Sequence, residues 1–212
     1  MYKLYYYPLN ASMAPRFILE KLNVAYELIL VDRAASEQTS EEYLALNPFG
    51  RIPTLIDGDV VLFESPAICL YLAEKNAEVN LIPRLGSLHR PVFHQWLMYL
   101  TNTLQAELMT YSYPDRYFID QSDRERLQSS SAQRITSMFE IIDSELAQSD
   151  YLVGDGVTVC DYFLFMLCIW ADELGKPPLA FHNVSRYLRK MAALDEVSTV
   201  CLDENLSLHD YQ

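Results

Sequence analysis

Residues 163–170 read Phe-Leu-Phe-Met-Leu-Cys-Ile-Trp, eight consecutive apolar side chains in a chain of 212 residues. A helix of this composition is apolar on every side and holds in water only when other helices surround it. Eight residues fall far short of the ~20 that a bilayer span requires. The run therefore predicts the central helix of a bundle. Its start is marked by Thr158-Val159-Cys160-Asp161, which has capping-box spacing: Thr158 takes the third helical N–H and Asp161 takes the Thr158 N–H. Residues 89–110 and 122–148 carry the long helical patterns that would surround it. The second has a stripe of Ile135, Phe139, Ile142 and Leu146, and Tyr113-Pro114 ends or kinks the first. A last amphipathic segment over 184–194 follows the Pro177-Pro178 break.

The first 76 residues have a different period. Residues 2–7 and 26–31 are β-rich, and between them Ala14, Phe17, Ile18 and Leu22 recur at helical steps, closed by Asn23 as a left-handed terminator. A second helix over 41–46 leads into the turn cluster Asn47-Pro48-Phe49-Gly50. Thr54-Leu55-Ile56 and Val60-Val61-Leu62 flank Asp57-Gly58-Asp59, a tight hairpin signal. Ser65 then reads as an N-cap with Pro66 at the first helical position, where its missing N–H does no harm. The order β-α-β-α-β-β-α is a compact α/β unit. The expected organisation is an α/β domain over 1–78, an aperiodic linker over 79–88, and an all-helical domain over 89–212.

A formal net charge of −13 argues against nucleic-acid and anionic-membrane partners, which need a basic stripe. The N-terminus runs straight into a strand pattern without a basic segment and apolar core, so no secretory signal is expected. Cys69, Cys160, Cys168 and Cys201 lack metal or C-x-x-C spacing and read as buried thiols of a reducing cytoplasm. His89 and His94 are five apart with no partner at ligand spacing, which argues against a metal site.

An α/β unit followed by a helical bundle gives meaning to three separated motifs. Asn47-Pro48-Phe49-Gly50-Arg51-Ile52-Pro53-Thr54-Leu55, then Glu64-Ser65-Pro66-Ala67-Ile68 with Tyr71-Leu72, resemble the thioredoxin-like domain of the cytosolic glutathione transferases. The box after Gly154 sits where that family has its own, so the resemblance spans nearly the whole chain. It implies a thioredoxin-like βαβαββα domain and an all-α C-terminal domain. It also implies a cis Ile52-Pro53 bond, with the Ile52 main chain holding the cysteinyl part of glutathione as an added strand. The helix start at Ser65 would take the γ-glutamyl carboxylate and Glu64 its ammonium. Arg51 lies where relatives place a polar residue that reaches the glutathione backbone.

The first strand and the turn after it resemble bacterial beta-type transferases through Leu4-Tyr5-Tyr6 and Ser12-Met13-Ala14-Pro15. Their reactive cysteine corresponds to Ala11 here, so neither a disulfide oxidoreductase nor a mixed disulfide is expected at this turn. Their polar pair on the first bundle helix is replaced by Met98 and Gln105. What remains is activation of a bound thiol by a hydrogen-bond donor. Ser12 ranks first because it also suits the N-cap position, leaving Pro15 as the third helical residue. Asn10 ranks second, aligning with the active serine of theta- and delta-type relatives. Tyr6 ranks third, aligning with the active tyrosine of the alpha, mu and pi types.

Met109, Tyr111, Tyr113, Tyr117 and Phe118 supply apolar and aromatic groups suited to a hydrophobic co-substrate, or to bundle core or a dimer contact. The combined expectation is a cytoplasmic, homodimeric, beta/theta-like glutathione transferase without the beta-type cysteine or a metal, conjugating glutathione to apolar electrophiles. The alternatives are a non-catalytic glutathione-binding or protein-interaction module, and a glutathione-dependent peroxidase or dehalogenase using the same site.

Overall fold

The computed structural model describes residues 1–117 and 120–211. The chain divides into two compact units, Met1–Ile82 with Ala193–Asp210, and Pro83–Ala192 with the chain end at Tyr211.

The first unit is built on a four-stranded sheet of order β2-β1-β3-β4. Strand β1 (Tyr2–Tyr6), helix α1 (Met13–Leu22) and β2 (Tyr26–Leu30) form a parallel crossover in which Leu4 pairs with Leu28. Helix α1 ends where Asn23 turns left-handed at φ 50°, and its core face is Met13, Ala14, Phe17 and Ile18, all buried. Helix α2 (Glu41–Leu46) is capped by the Ser40 hydroxyl, which accepts from the Tyr43 N–H. Strands β3 (Thr54–Asp57) and β4 (Val60–Phe63) close a hairpin at Gly58, φ +60°, and β3 runs antiparallel to β1 with Leu4 opposite Leu55. Helix α3 (Ser65–Lys75) packs with α1 on the face that holds Leu4, Leu55, Ile68 and Leu72. On the other face Tyr5 meets the ring of Tyr43 from α2 edge-on.

Two details differ from the sequence reading. Ser65 is the first residue of α3, and Glu64 occupies the cap position at φ 69° without a side-chain capping bond. The C-terminal stretch 193–210 does not group with the helical domain. Its helix α9 (Asp195–Asp203) packs on α1, with Arg16 bonded to Asp203 and Glu204, and Lys21 3.3 Å from Glu196. An ion pair between residues 188 apart leaves no local period for a sequence pattern to report.

The second unit is helical. Helix α4 (His89–Tyr99) continues through a π-helical segment (Leu100–Gln105) into α5 (Ala106–Ser112), and α6 (Gln121–Leu146), α7 (Val159–Trp170) and α8 (His182–Ala192) follow. Every residue of α7 from Val159 to Cys168 is buried, as the apolar run requires. The capping box is formed: Thr158 N–H and Oγ1 each donate to Asp161 at 2.8 Å, and Leu152 N–H donates to the other carboxylate oxygen at 3.0 Å. Burial nevertheless pushes the Asp161 carboxyl up to about 6, against the pull of these hydrogen bonds. No helix among the described residues is long and apolar enough to cross a membrane. All four cysteines are buried.

Candidate functional site

The residues singled out in the first 82 positions converge on one end of the sheet, beyond the C-terminal end of β1. Their support begins with Asn47, 2% exposed, whose Oδ1 accepts the Phe49 N–H at 3.1 Å and whose Nδ2 donates to the Arg51 carbonyl at 2.7 Å. The Tyr43 hydroxyl donates to the same carbonyl at 2.6 Å and lies 3.0 Å from the buried Thr54 hydroxyl. Burial, opposed by the Thr54 and Asn47 contacts, raises the Tyr43 phenol above its ordinary value and keeps it a donor. Gly50 is required for a steric reason. It sits at φ +59°, and a Cβ there would lie 2.8 Å from the Gln38 carbonyl oxygen. The Asn-Pro-Phe-Gly turn thus delivers Arg51, Ile52 and Pro53 in a fixed path beside β1, where Tyr5 pairs with Thr54.

The Ile52-Pro53 bond is cis. Pro53 is buried, Ile52 is half-buried and Arg51 has an exposed side chain. Neither the N–H nor the C=O of Ile52 enters a hydrogen bond among the described residues, leaving one open main-chain pair at the end of the sheet, just ahead of the interior strand β3.

A second set of open donors lies at the start of α3. Pro66 has no N–H, and the N–H groups of Ser65 and Ala67 have no acceptor among the described residues. Together with the helix N-terminus they form a place suited to a carboxylate. Glu64 is exposed beside them. The Ser65 hydroxyl, 4% exposed, donates to the Ala11 carbonyl at 2.8 Å and so ties the start of α3 to the turn before α1.

That turn separates the three thiol-activating candidates. Ser12 is fully buried; its hydroxyl donates to the Tyr7 carbonyl at 3.0 Å and accepts the Tyr7 N–H at 3.4 Å. It holds the N-cap position of α1 but makes no side-chain capping bond. Asn10 is half-buried, and its Oδ1 accepts the Ala11 N–H at 2.7 Å, leaving the Nδ2 amide without an acceptor among the described residues. Tyr6 is half-buried on the α1 side of the sheet, with the Arg16 guanidinium 6.0 Å from its ring centre. Strand alternation puts Tyr5 and Tyr7 on the opposite face, where Arg33 stacks on Tyr7 at 5.3 Å.

Beneath the turn lies a group the sequence did not point to. Glu204, with a fully buried side chain, accepts the Leu9 N–H at 2.7 Å and Arg16 Nη1 at 3.2 Å. Burial raises its carboxyl above the usual range, although the Leu9 N–H and Arg16 pull it down. Its one sequence signal is a glutamate near the chain end, which nothing local distinguishes from other acidic residues.

In the second unit, Met109, Tyr111 and Tyr113 are half-buried, Arg116 stacks on Tyr113 at 4.3 Å, and Tyr117 is 58% exposed. Phe118 lies outside the described residues. Met98 is 46% exposed and Gln105 half-buried. Among the described residues no group of three or more His, Cys, Asp or Glu is arranged to hold a metal ion.

A four-stranded β2-β1-β3-β4 sheet with a cis proline leading into β3, followed by a helical unit with a buried capping box, defines a thioredoxin-like domain joined to an all-helical one. Family models agree on both halves: the glutathione S-transferase N-terminal domain matches residues 1–74 and the C-terminal domain residues 101–195. The chain is 31% identical over 170 residues to glutathione S-transferase F10 of Arabidopsis thaliana, covering 74% of each chain. A glutathione transferase homolog from Sulfitobacter, solved with bound glutathione, superposes with a TM-score of 0.88 at 26% identity, covering 98% of this chain and 99% of that one. A bacterial beta class glutathione S-transferase from Sphingomonas chungbukensis gives 0.83 at 25% identity, covering 97% and 100%. The chain belongs to the glutathione S-transferase family.

Proposed function

We propose that this chain is a glutathione transferase of beta/theta-like type that lacks the beta-type cysteine, and that it conjugates the glutathione thiolate to apolar electrophiles. The observation that carries the reading is the pairing of two open polar sites flanking one turn. The Ile52 main chain offers one N–H and one C=O, and the Ser65 and Ala67 N–H groups offer an anion seat. A peptide that is extended, carboxylated at one end and thiol-bearing in the middle matches that spacing of chemistry. The Sulfitobacter homolog solved with bound glutathione supports the same ligand.

In this reading the γ-glutamyl carboxylate takes the Ser65 and Ala67 N–H groups, Glu64 takes the ammonium, and the cysteinyl main chain pairs with Ile52 beside Pro53. Arg51 lends its exposed guanidinium to the rest of the tripeptide. Of the three ranked donors, Asn10 takes the sulfur. Its Nδ2 is uncommitted, whereas the Ser12 proton already belongs to the Tyr7 carbonyl. Ser12 then holds the turn in shape, and Tyr6 remains a secondary donor. A thiol resembling free cysteine has a pKa of about 8.5. A hydrogen bond to a charged acceptor is worth ~1.5–3 kcal/mol, so one such donor lowers the thiol by about one to two units. The thiolate then attacks the electrophile directly, with no covalent enzyme intermediate. The homodimer, the cytoplasmic location and an electrophile site that includes Met109, Tyr111 and Tyr113 belong to the same proposal.

The test is retention on immobilised glutathione together with ultraviolet thiolate absorbance on adding glutathione at neutral pH. Both are expected. Retention without the absorbance change marks a non-catalytic binding module, and the absence of both signals ends the glutathione reading.

A further inference from the structure

The turn that carries Asn10 is fixed at its N-terminal side by a residue from the far end of the chain. Leu9 adopts φ 54°, a left-handed conformation that a leucine side chain disfavours, so something must hold it. Its N–H donates at 2.7 Å to Glu204 Oε2, while Glu204 Oε1 takes Arg16 Nη1 at 3.2 Å. Arg16 is 3% exposed, and its main-chain N–H bonds the Ser12 carbonyl at 3.1 Å, within the first turn of α1. One carboxylate therefore bridges both sides of the segment 9–16: the residue before Asn10 and the helical turn after Ser12. The segment that brings it, α9 with its Glu204 end, is packed on α1 within the same compact unit.

We infer that Glu204 is a positioning residue for thiol activation, holding the 9–12 turn so that Asn10 Nδ2 stays aimed at the glutathione sulfur. This rests on the glutathione transferase reading above. Glu204 touches neither sulfur nor electrophile; it acts through Leu9 and Arg16. The carboxylate is matched to the task by having two acceptor oxygens, one for each side of the turn. Burial makes the clamp stiff, because without Glu204 the buried Arg16 keeps only neutral Tyr26 and Asp203, whose side chain is 54% exposed, among its described partners.

The experiment titrates the thiol of enzyme-bound glutathione by its thiolate absorbance in the wild type and three variants. Glu204→Gln keeps one acceptor oxygen, and Arg16→Met with Glu204→Leu replaces the pair by apolar groups of similar size. Asp203→Asn removes only the charge of the outer Arg16 partner. The double variant is expected to raise the bound-thiol pKa by about one unit, equivalent to a ~10-fold loss of thiolate at pH below that value. Glu204→Gln should show a smaller rise and Asp203→Asn none, with the glutathione KM within about twofold throughout because Ile52 and Ser65 are untouched. If the double variant folds and keeps the wild-type thiol pKa, or if Asp203→Asn raises it as much, the inference is overturned. Should the double variant fail to fold, Glu204→Gln decides: a raised pKa supports the clamp and an unchanged one refutes it. A wild type whose bound thiol titrates like free glutathione removes the underlying function as well, a result distinct from unchanged variants on an activating wild type.

Discussion

The Ser65 hydroxyl donates to the Ala11 carbonyl across 2.8 Å, joining the first residue of α3 to the turn that opens α1 although 54 residues separate them. In the proposed function this bond sets the distance between the carboxylate seat at α3 and the turn that carries Asn10. The Ser65→Ala variant leaves the Ala11 carbonyl without its partner, at a cost of ~1–3 kcal/mol. The expected outcome is a glutathione KM raised about tenfold with a smaller change in kcat, read from initial rates with a model electrophile. An unchanged KM would mean that the tie does not organise the site.

Gly50 gives a prediction on folding. A Cβ there meets the Gln38 carbonyl oxygen at 2.8 Å, and φ is +59°. Gly50→Ala should destabilise the first unit by ~1–3 kcal/mol, the usual cost of a residue forced into such a conformation. Thermal unfolding checks this, with an expected fall of several degrees. Gly175→Ala, which meets nothing within 4 Å, should leave the midpoint in place.

Asp161 carries the pH dependence. Its carboxyl is pushed up to about 6 in the folded chain from an ordinary 3.8, chiefly by burial. Between these values the folded state holds a proton that the unfolded state releases. Stability from this group is therefore full below pH ~4 and is lost as pH rises through ~6, by about 3 kcal/mol in all. The Asp161→Asn variant is destabilised at every pH because its amide cannot accept from Leu152 and Thr158 together. It should lack that slope, however, when unfolding free energies are compared between pH 4 and 7.

Tyr43 tests the support of the Ile52 path. Tyr43→Phe removes the donor to the Arg51 carbonyl and leaves the fully buried Thr54 hydroxyl without that partner. A loss of ~1–2 kcal/mol in stability is expected, with a higher glutathione KM. Equilibrium denaturation and initial rates measure the two effects separately.

Much of the fold was legible because its signals are local. The left-handed Asn23, the 41–46 helix, the Gly58 hairpin and the Thr158–Asp161 box are each set by residues within a few positions of one another. The π-helical segment was hidden because Leu100 and Leu104 keep helical spacing through it. The docking of α9 on α1 was hidden too, since a buried Arg16–Glu204 pair looks in sequence like two solvated charges. The candidate residues of the first 82 positions lie at one end of the sheet. Their roles were less legible. Ser12 looks like an available hydroxyl until the chain path brings the Tyr7 main chain against it, whereas Asn10 keeps a donor that only the folded turn reveals as uncommitted.

In the proposed function the Asn10 side-chain amide stabilises the thiolate of bound glutathione. This role is tested most directly by the pKa of that thiol in the wild type, Asn10→Ala and Ser12→Ala, titrated by thiolate absorbance. The expected wild-type value lies about one to two units below free glutathione. Asn10→Ala should lose most of that shift, and Ser12→Ala should lose less of it while lowering thermal stability. A full shift retained in Asn10→Ala would contradict it.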